Sequence, residues 1–578
     1  MIDALRQVEA ELTAPGGPFE LVVEDVLGER LRVLKNRVRS LRELLERSAA
    51  FGEREYLVYE GQRFTYAQHV RAVASVARAL EQRFGVRRGD RVAIVAANCP
   101  EWVIAFWAAQ SLGAVAVGLN GWWAGDEIRY GVADAEPKVL IGDRKRLARL
   151  EGADPGVPVV EIERDFAALL AHAPDAALPS GPIDEDDPAC ILYTSGTTGR
   201  PKGAVNSHRA IAALVQLNLF NGVRNALAAA KAAAQAQSEA QAQPGRTDGA
   251  PTPAPPSPPS GPPTALVTTP FFHVSGLYTG AVMMLSIGAK MVLRAGRFDP
   301  ADVMRLIERE RVTSWGPMGT MAYRVVHHPE RARYDLTSVL QVGSGGAPMH
   351  PDLQARMREA FPSARRSLGL GYGLTESCAL ATVCSGEELL RHPESVGRPL
   401  PCVELEIRGD DGRALPEGVE GEIHIRGPLV MIEYWRKPEA TKEALAPGRW
   451  LRTGDVGRLV DGRLYVNARA RDLILRGGEN VYPVEIEQRL EAHPDVQEAA
   501  VVGVEHEELG QEVKAFVVPL PGRHPEPGAL AAWVGATLAA FKVPAHFEIR
   551  EEPLPRNATG KVLKAVLVGQ SANPFVGD

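Results

Sequence analysis

Cysteine is scarce in this sequence: the five residues Cys99, Cys190, Cys378, Cys384 and Cys402 are odd in number, and no two are spaced C-x-x-C. That argues against a disulfide framework or a zinc ribbon and fits a reducing, cytoplasmic setting. An excess of positive charge is missing too. With 65 Lys and Arg against 72 Asp and Glu, the formal net charge is -7, so no general field draws the chain to nucleic acid or anionic lipid. Long apolar runs are also absent. The richest stretch, 102–123, is interrupted by Gln110, Ser111, Gly113 and Asn120, and reads as a buried helix running into a buried strand rather than a membrane span. The opening residues MIDALRQVEAEL have neither a basic start nor a long apolar core, so no secretion signal is expected.

What is present is an ordinary globular composition in a chain of 578 residues, long enough for two or more domains. Up to about Gly222, helical periodicity alternates with short β-branched runs: 65–80 helical, 91–96 extended, 102–112 helical, 114–118 extended. Such alternation predicts α/β layers built on parallel strands. The composition then shifts. Residues 226–242 are almost only Ala and Gln with a few charges, and 245–263 are dominated by Pro, Ser, Gly and Thr. We read about 224–263 as an inserted surface loop whose first part has the propensity for helix and whose second part cannot bury a core. Strand-like runs resume at 291–293, 339–342, 403–407 and 421–426. From 471 to 568 the pattern predicts a small α+β unit, with strands at 473–475, 496–504 and 512–519 and helices at 483–492 and 527–540. Residues 569–578 form a tail.

The densest chemical signal is Tyr193-Thr194-Ser195-Gly196-Thr197-Thr198-Gly199-Arg200-Pro201-Lys202-Gly203, directly after the apolar run 189–192. Small residues let backbone N–H groups close around an anion, hydroxyls add donors, and Lys202 adds a mobile positive charge. The segment is a phosphate cradle without being a P-loop, because the GxxxxGK[ST] spacing is absent.

This run resembles the phosphate loop of the adenylate-forming superfamily, which includes acyl-CoA synthetases, aryl-CoA ligases, adenylation domains of peptide synthetases and beetle luciferases. The superfamily's other motifs follow in order. The resemblance extends from about Ser40 to Leu567, apart from the insertion. It implies an α/β fold with a large multi-subdomain N-terminal domain of layered sheets and helices, 1–470, and a small mobile α+β C-terminal domain, 471–568. Thr194, Ser195, Gly196, Thr197, Thr198, Gly199 and Lys202 would then hold the β- and γ-phosphates of ATP. Gly345-Gly346-Ala347-Pro348 resembles the adenine-contacting turn. In Gly371-Tyr372-Gly373-Leu374-Thr375-Glu376, the tyrosine would lie against the base, Thr375 would contact the α-phosphate, and Glu376 would position Mg²⁺, a hard cation suited to carboxylate and phosphate oxygens.

By the same resemblance, Asp455 of Arg452-Thr453-Gly454-Asp455 would accept hydrogen bonds from the ribose hydroxyls, and Arg469 would reach the same sugar. Arg471 falls at the hinge, where the family usually has Lys or Asp, and Gly477 and Gly478 would lie beside the pantetheine arm of CoA. Lys561, after Pro555-Arg556-Asn557-Ala558-Thr559-Gly560, matches the adenylation lysine. His273, in Pro270-Phe271-Phe272-His273, would bind near the acyl group, and Trp315, Met318 and Gly319 are candidate pocket walls.

The function this implies is ATP-dependent activation of a carboxylic acid, a fatty acid first and aryl or steroid acids as alternatives, with transfer to CoA. A separate acyl carrier protein is the other acceptor, since no Ser-bearing phosphopantetheine motif follows Lys561. Amino-acid adenylation is disfavoured, because the His273 segment through Gly280 offers no acidic residue for an α-amino group. A non-catalytic scaffold of the same fold would be expected to have lost Glu376, Asp455 or Lys561, and all three are present.

Overall fold

The computed structural model describes residues 2–194, 200–242, 261–318, 320–346, 349, 351–469, 472–476, 479–506, 509–557 and 561–570. Two large sheets carry most of the chain. In the first, of seven strands, 91–95, 115–118, 139–142, 159–161 and 188–194 run parallel. It ends in the antiparallel strands 202–207 and 433–434. The second, of nine strands, has a parallel centre of 368–372, 341–345, 314–315, 264–267, 290–293 and 55–59 with antiparallel strands at both edges.

The helix Pro100–Leu112 explains why the richest apolar stretch is not a membrane span. It is apolar all round because its whole surface is covered, and Trp102, Phe106 and Trp107 are fully buried. It shares one core with residues of both sheets, among them Ile94, Leu192, Tyr56 and Met291. Among the described residues no helix is long and apolar enough to cross a membrane. The neighbouring helix Tyr66–Phe84 begins with a capping box between Thr65 and Gln68 and stops at Gly85, whose φ of 67° only glycine adopts readily.

The expected surface loop beginning near residue 224 is corrected in its first half. A single helix, His208–Ala242, runs 35 residues through it. The Ala, Gln and Leu composition carries no breaker there, and a partner covers its apolar stripe. That partner is the amphipathic helix Ile2–Thr13. Its Val8 and Leu12 pack with Phe220 and Ala228. Arg224 pairs with Glu9 at 2.9 Å and Lys231 with Glu11 at 2.8 Å. Residues 243–260 lie outside the described residues.

Two further sheets follow. One contains 404–408, 421–426, 445–446, 450–460 and 463–469. The other contains 474–476, 479–481, 496–506, 510–519 and 546–549, with helices Pro483–Glu491 and Pro527–Gly535 packed on it. The expected α+β pattern of this last section therefore appears, its second helix shorter than its periodicity suggested.

Candidate active site

The two ends of the phosphate-loop motif lie on paired strands. Strands Pro188–Thr194 and Lys202–Ser207 pair antiparallel, with Thr194 opposite Lys202 and Tyr193 opposite Gly203. The predicted loop residues Ser195, Gly196, Thr197, Thr198 and Gly199 lie outside the described residues, so the structure places the two ends of the cradle. Gly203 is required there: a Cβ on it would stand 2.6 Å from Ile191 Cγ2.

Glu376 sits across from this hairpin, on a short 3-10 turn, Thr375–Ser377, that follows strand Leu368–Tyr372 of the other large sheet. Its Oε1 accepts hydrogen bonds from Thr194 Oγ1 at 3.2 Å and from the Tyr434 hydroxyl at 2.7 Å. Its Oε2 accepts none among the described residues, which leaves one carboxylate oxygen for a ligand. The backbone is held as firmly. Asn206 Nδ2 donates to the Thr375 carbonyl at 3.2 Å, and Met431 N–H donates to the Glu376 carbonyl at 2.8 Å. The turn closes through Cys378 at φ 54° and Ala379 at φ 79°, left-handed conformations that cost a non-glycine residue energy and persist here under these constraints.

Tyr434 is a neighbour of Glu376 that motif reading missed. It lies on the two-residue edge strand Glu433–Tyr434, opposite Ala204, and the Lys202 ammonium stands 5.3 Å from its ring centroid. Burial first, and then the adjacent Glu376 carboxylate, push its phenol well above the usual value, so it remains a donor. Only the pairing of a distant edge strand brings it to Glu376, and nothing local in EYW signals that.

The predicted nucleoside residues gather at the next strand ends. Gly345 and Gly371 are register partners, and a Cβ on Gly345 would approach the Gly371 carbonyl oxygen to 2.9 Å. Gly346 has φ 74°, and Ala347 and Pro348 lie outside the described residues. A Cβ on Gly373 would meet the Ala379 carbonyl oxygen at 2.4 Å, so backbone packs directly on backbone here. The Tyr372 hydroxyl donates to Asp455 Oδ2 at 2.8 Å, joining two motifs 83 residues apart. Asp455 is itself set by a turn in which Gly454 has φ 68°, Thr453 Oγ1 donates to the Ile423 carbonyl at 2.7 Å, and Gly454 N–H donates to Glu422 at 3.1 Å. Burial pushes the Glu422 carboxyl up, but hydrogen bonds from His424 and Arg452 outweigh it and hold the group at about 2, so the turn keeps a charged anchor. Arg469 stands opposite Asp455 in the antiparallel register.

His273 precedes a short helical turn, Val274–Gly276, and Asn98 fixes the segment before it, accepting from Phe271 N–H at 2.9 Å and donating to the Thr269 carbonyl at 2.8 Å. Its Nε2 is buried with no partner among the described residues, and burial pushes the imidazole down to about 4. Met318 reaches the groove: its Cε lies 2.5 Å from where a Gly346 Cβ would be. Trp315 instead packs in the core, 5.8 Å from the Phe361 ring, with Nε1 donating to Thr268 Oγ1 at 3.2 Å. Gly319, Arg471, Gly477 and Gly478 lie outside the described residues. Lys561 belongs to the C-terminal section, on a turn closed by Asn557, whose N–H and side-chain oxygen both bond Lys561 backbone groups at 2.9 Å.

The donor set suits a nucleotide with a hard cation. No group of three or more His, Cys, Asp or Glu side chains able to hold a metal lies among the described residues. A lone carboxylate, with one oxygen open beside a phosphate cradle, fits Mg²⁺ carried in on phosphate oxygens.

Comparison with known proteins identifies the family. The family model described as AMP-binding enzyme matches residues 44–435, and that of the AMP-binding enzyme C-terminal domain matches 485–561. The chain is 33% identical over 516 residues to a feruloyl-CoA synthase of Amycolatopsis sp., covering 87% of this chain and 93% of that protein. It is likewise 33% identical over 511 residues to the long-chain-fatty-acid–CoA ligase FadD13 of Mycobacterium tuberculosis, covering 87% of this chain and 92% of the relative. Among solved structures, o-succinylbenzoate CoA synthetase (MenE) from Bacillus subtilis, in complex with its acyl-adenylate intermediate, superposes with a TM-score of 0.74 at 29% identity, covering 92% of this chain and 98% of that one. ATP-bound MatB from Rhodopseudomonas palustris gives 0.76 at 27% identity, with 92% and 99% covered. The chain belongs to the AMP-binding enzyme family and is an adenylate-forming enzyme of the acyl-CoA synthetase branch.

Proposed function

We propose that the chain joins an apolar carboxylic acid, a fatty acid in the first instance, to CoA through an acyl-AMP intermediate. The observation that carries the reading is Glu376, held by Thr194 and Tyr434 with one oxygen open, between the phosphate-loop hairpin and the Tyr372–Asp455 pair. In the first step a carboxylate oxygen of the acid attacks the α-phosphorus of ATP and pyrophosphate leaves. Two anions must approach, and the Lys561 ammonium offsets their repulsion and the charge that develops. Thr375 contacts the α-phosphate, the hairpin and Lys202 hold the β- and γ-phosphates, and Asp455 with Arg469 holds the ribose. Mg²⁺ on Glu376, when bound, neutralises phosphate charge. In the second step the CoA sulfur attacks the acyl carbon and AMP leaves.

The section from 471 onward is the mobile domain in this reading, turning about Arg471 to exchange Lys561 for Gly477 and Gly478 beside the thiol. His273, Met318 and Gly319 border the acyl group, with Trp315 behind them. Five buried, unpaired cysteines support a cytoplasmic setting.

Two specific similarities support alternatives within the same chemistry. An indoleacetate–CoA ligase of Aromatoleum aromaticum, 34% identical over 513 residues, favours trying aryl acids. A fatty acid–[acyl-carrier-protein] ligase, ScoC of Streptomyces coeruleorubidus, 32% identical over 519 residues, favours trying a carrier protein as acceptor. A panel of fatty, aryl and steroid acids, scored by acid-dependent pyrophosphate release with and without CoA, separates these. Lys561→Ala should lose acid-dependent pyrophosphate exchange yet still convert supplied acyl-AMP with CoA. Equal loss of both half-reactions in a folded variant counts against its role.

A further inference from the structure

The helix Gly125–Ala135 belongs to none of the motifs above, yet it braces both stems of the phosphate-loop hairpin. Tyr130 and Asp134 are one turn apart and share a face. On the outgoing stem, the Tyr130 hydroxyl donates to the Pro201 carbonyl at 3.1 Å, and the Arg200 guanidinium lies 5.3 Å from its ring centroid. On the incoming stem, the Tyr193 hydroxyl donates to Asp134 Oδ2 at 2.9 Å. The other Asp134 oxygen faces Lys437 Nζ at 2.6 Å, and the Asp134 side chain is only 5% exposed.

The same contacts reach Glu376. Lys437 follows the edge strand that carries Tyr434, and between them Trp435 donates its Nε1 to the Asp134 carbonyl at 3.0 Å and its backbone N–H to the Gly203 carbonyl at 2.7 Å. One helix therefore touches the segment before the loop, the segment after it, and the segment that presents the partner of Glu376. The Lys437 side chain is 37% exposed, but the charge-assisted hydrogen bond from buried Tyr193 to Asp134 lies away from solvent and resists deformation better than a solvated one would. Whatever fixes the two stems sets how much ordering the nucleotide must impose.

We propose that Tyr130 and Asp134 are positioning residues for ATP: they hold the two stems at the spacing at which Lys202 meets the triphosphate in register with Glu376. This rests on the ATP-site reading above, and adds to it two residues outside every motif of the sequence.

The test uses the full-length chain with Tyr130→Phe, which keeps the ring and removes one donor, and Asp134→Asn, which keeps the shape and removes the charge. Three quantities are compared with wild type: the dissociation constant of a non-hydrolysable ATP analogue with Mg²⁺, the KM for ATP in acid-dependent pyrophosphate exchange, and the rate of thioester formation from supplied acyl-AMP and CoA. Both variants should bind the analogue at least fivefold more weakly and show a matching rise in KM, with thioester formation within twofold of wild type. Analogue affinity within twofold of wild type in both variants overturns the proposal. So does a parallel loss of both half-reactions with a lowered unfolding midpoint, which would mark a structural role only. Should Asp134→Asn fail to fold, Tyr130→Phe decides alone. A wild type that binds the analogue but exchanges pyrophosphate with no acid refutes the ligase reading while the titration still decides the brace, and a wild type that does not bind it overturns both.

Discussion

Tyr434 shows how a residue can matter to the site without belonging to a motif. Its hydroxyl is one of two donors to Glu376 Oε1, and its raised phenol keeps it protonated at any physiological pH. Losing a hydrogen bond to a charged acceptor costs about 1.5–3 kcal/mol. Tyr434→Phe should therefore lower kcat/KM for ATP roughly tenfold or more, since each 1.4 kcal/mol is about tenfold in rate. The thermal unfolding midpoint should hardly move, because the ring stays. Unchanged kinetics across a Mg²⁺ titration would show that Thr194 alone suffices to orient the carboxylate.

At the scale of elements, the N-terminal helix and the long helix it covers form a separable packing unit. Val8 and Leu12 rest on Phe220 and Ala228, flanked by the pairs of Glu9 with Arg224 and Glu11 with Lys231. Removing residues 1–13 strips that cover. The expected outcome is a lower unfolding midpoint and faster proteolysis beyond residue 220, with the adenylation rate preserved, because the contacts of this helix described above lie on the long helix and none is at Glu376. A loss of adenylation in a folded truncation would mean that the long helix transmits strain to the strand Lys202–Ser207 that precedes it.

This scale also shows what was legible in the sequence. The loop motif, Thr375-Glu376 and Asp455 were readable because their chemistry is local: glycines, hydroxyls and charges within a few residues. The helices expected at 65–80 and 102–112 from their period appear at 66–84 and 100–112. Tyr434, Asn206, Tyr130 and Asp134 were not, because each acquires its partner from strand order or helix placement, 71 residues away for Tyr130 and Pro201 and 58 for Tyr434 and Glu376. The helix through the insertion was half legible. Its propensity was visible, but the helix 220 residues upstream that stabilises it was not.

Over the whole molecule, two fully buried histidines set a pH limit. His69 lies against Tyr56 with neither ring nitrogen partnered among the described residues, and burial pushes it down to about 3. His208 accepts from Leu41 N–H at 3.2 Å, and burial pushes it down to about 4. Both fold as neutral rings. Below about pH 6.5 the unfolded chain binds protons that the folded chain refuses, so stability is complete above that value and falls with pH, by about 1.4 kcal/mol per pH unit for each histidine. Burial raises the Glu491 carboxyl to about 8, which acts in the opposite sense over the same range, so the histidine contribution is read by difference. The loss of urea midpoint on going from pH 8 to pH 5 should be smaller in His69→Leu than in wild type, and an identical pH dependence in the two would sink this account.

The hydrogen bond from Thr194 to Glu376 joins a hairpin of the seven-stranded sheet to a turn of the nine-stranded one, and Asn206 to Thr375 repeats the link from the other strand of the hairpin. A ligand seated on that line is a staple between two bodies of protein. Amide deuterium uptake in strands Pro188–Thr194 and Leu368–Tyr372 should then slow together on adding nucleotide, although the two strands share no backbone ladder, so that occupancy of the groove becomes measurable as a change in the breathing of the chain.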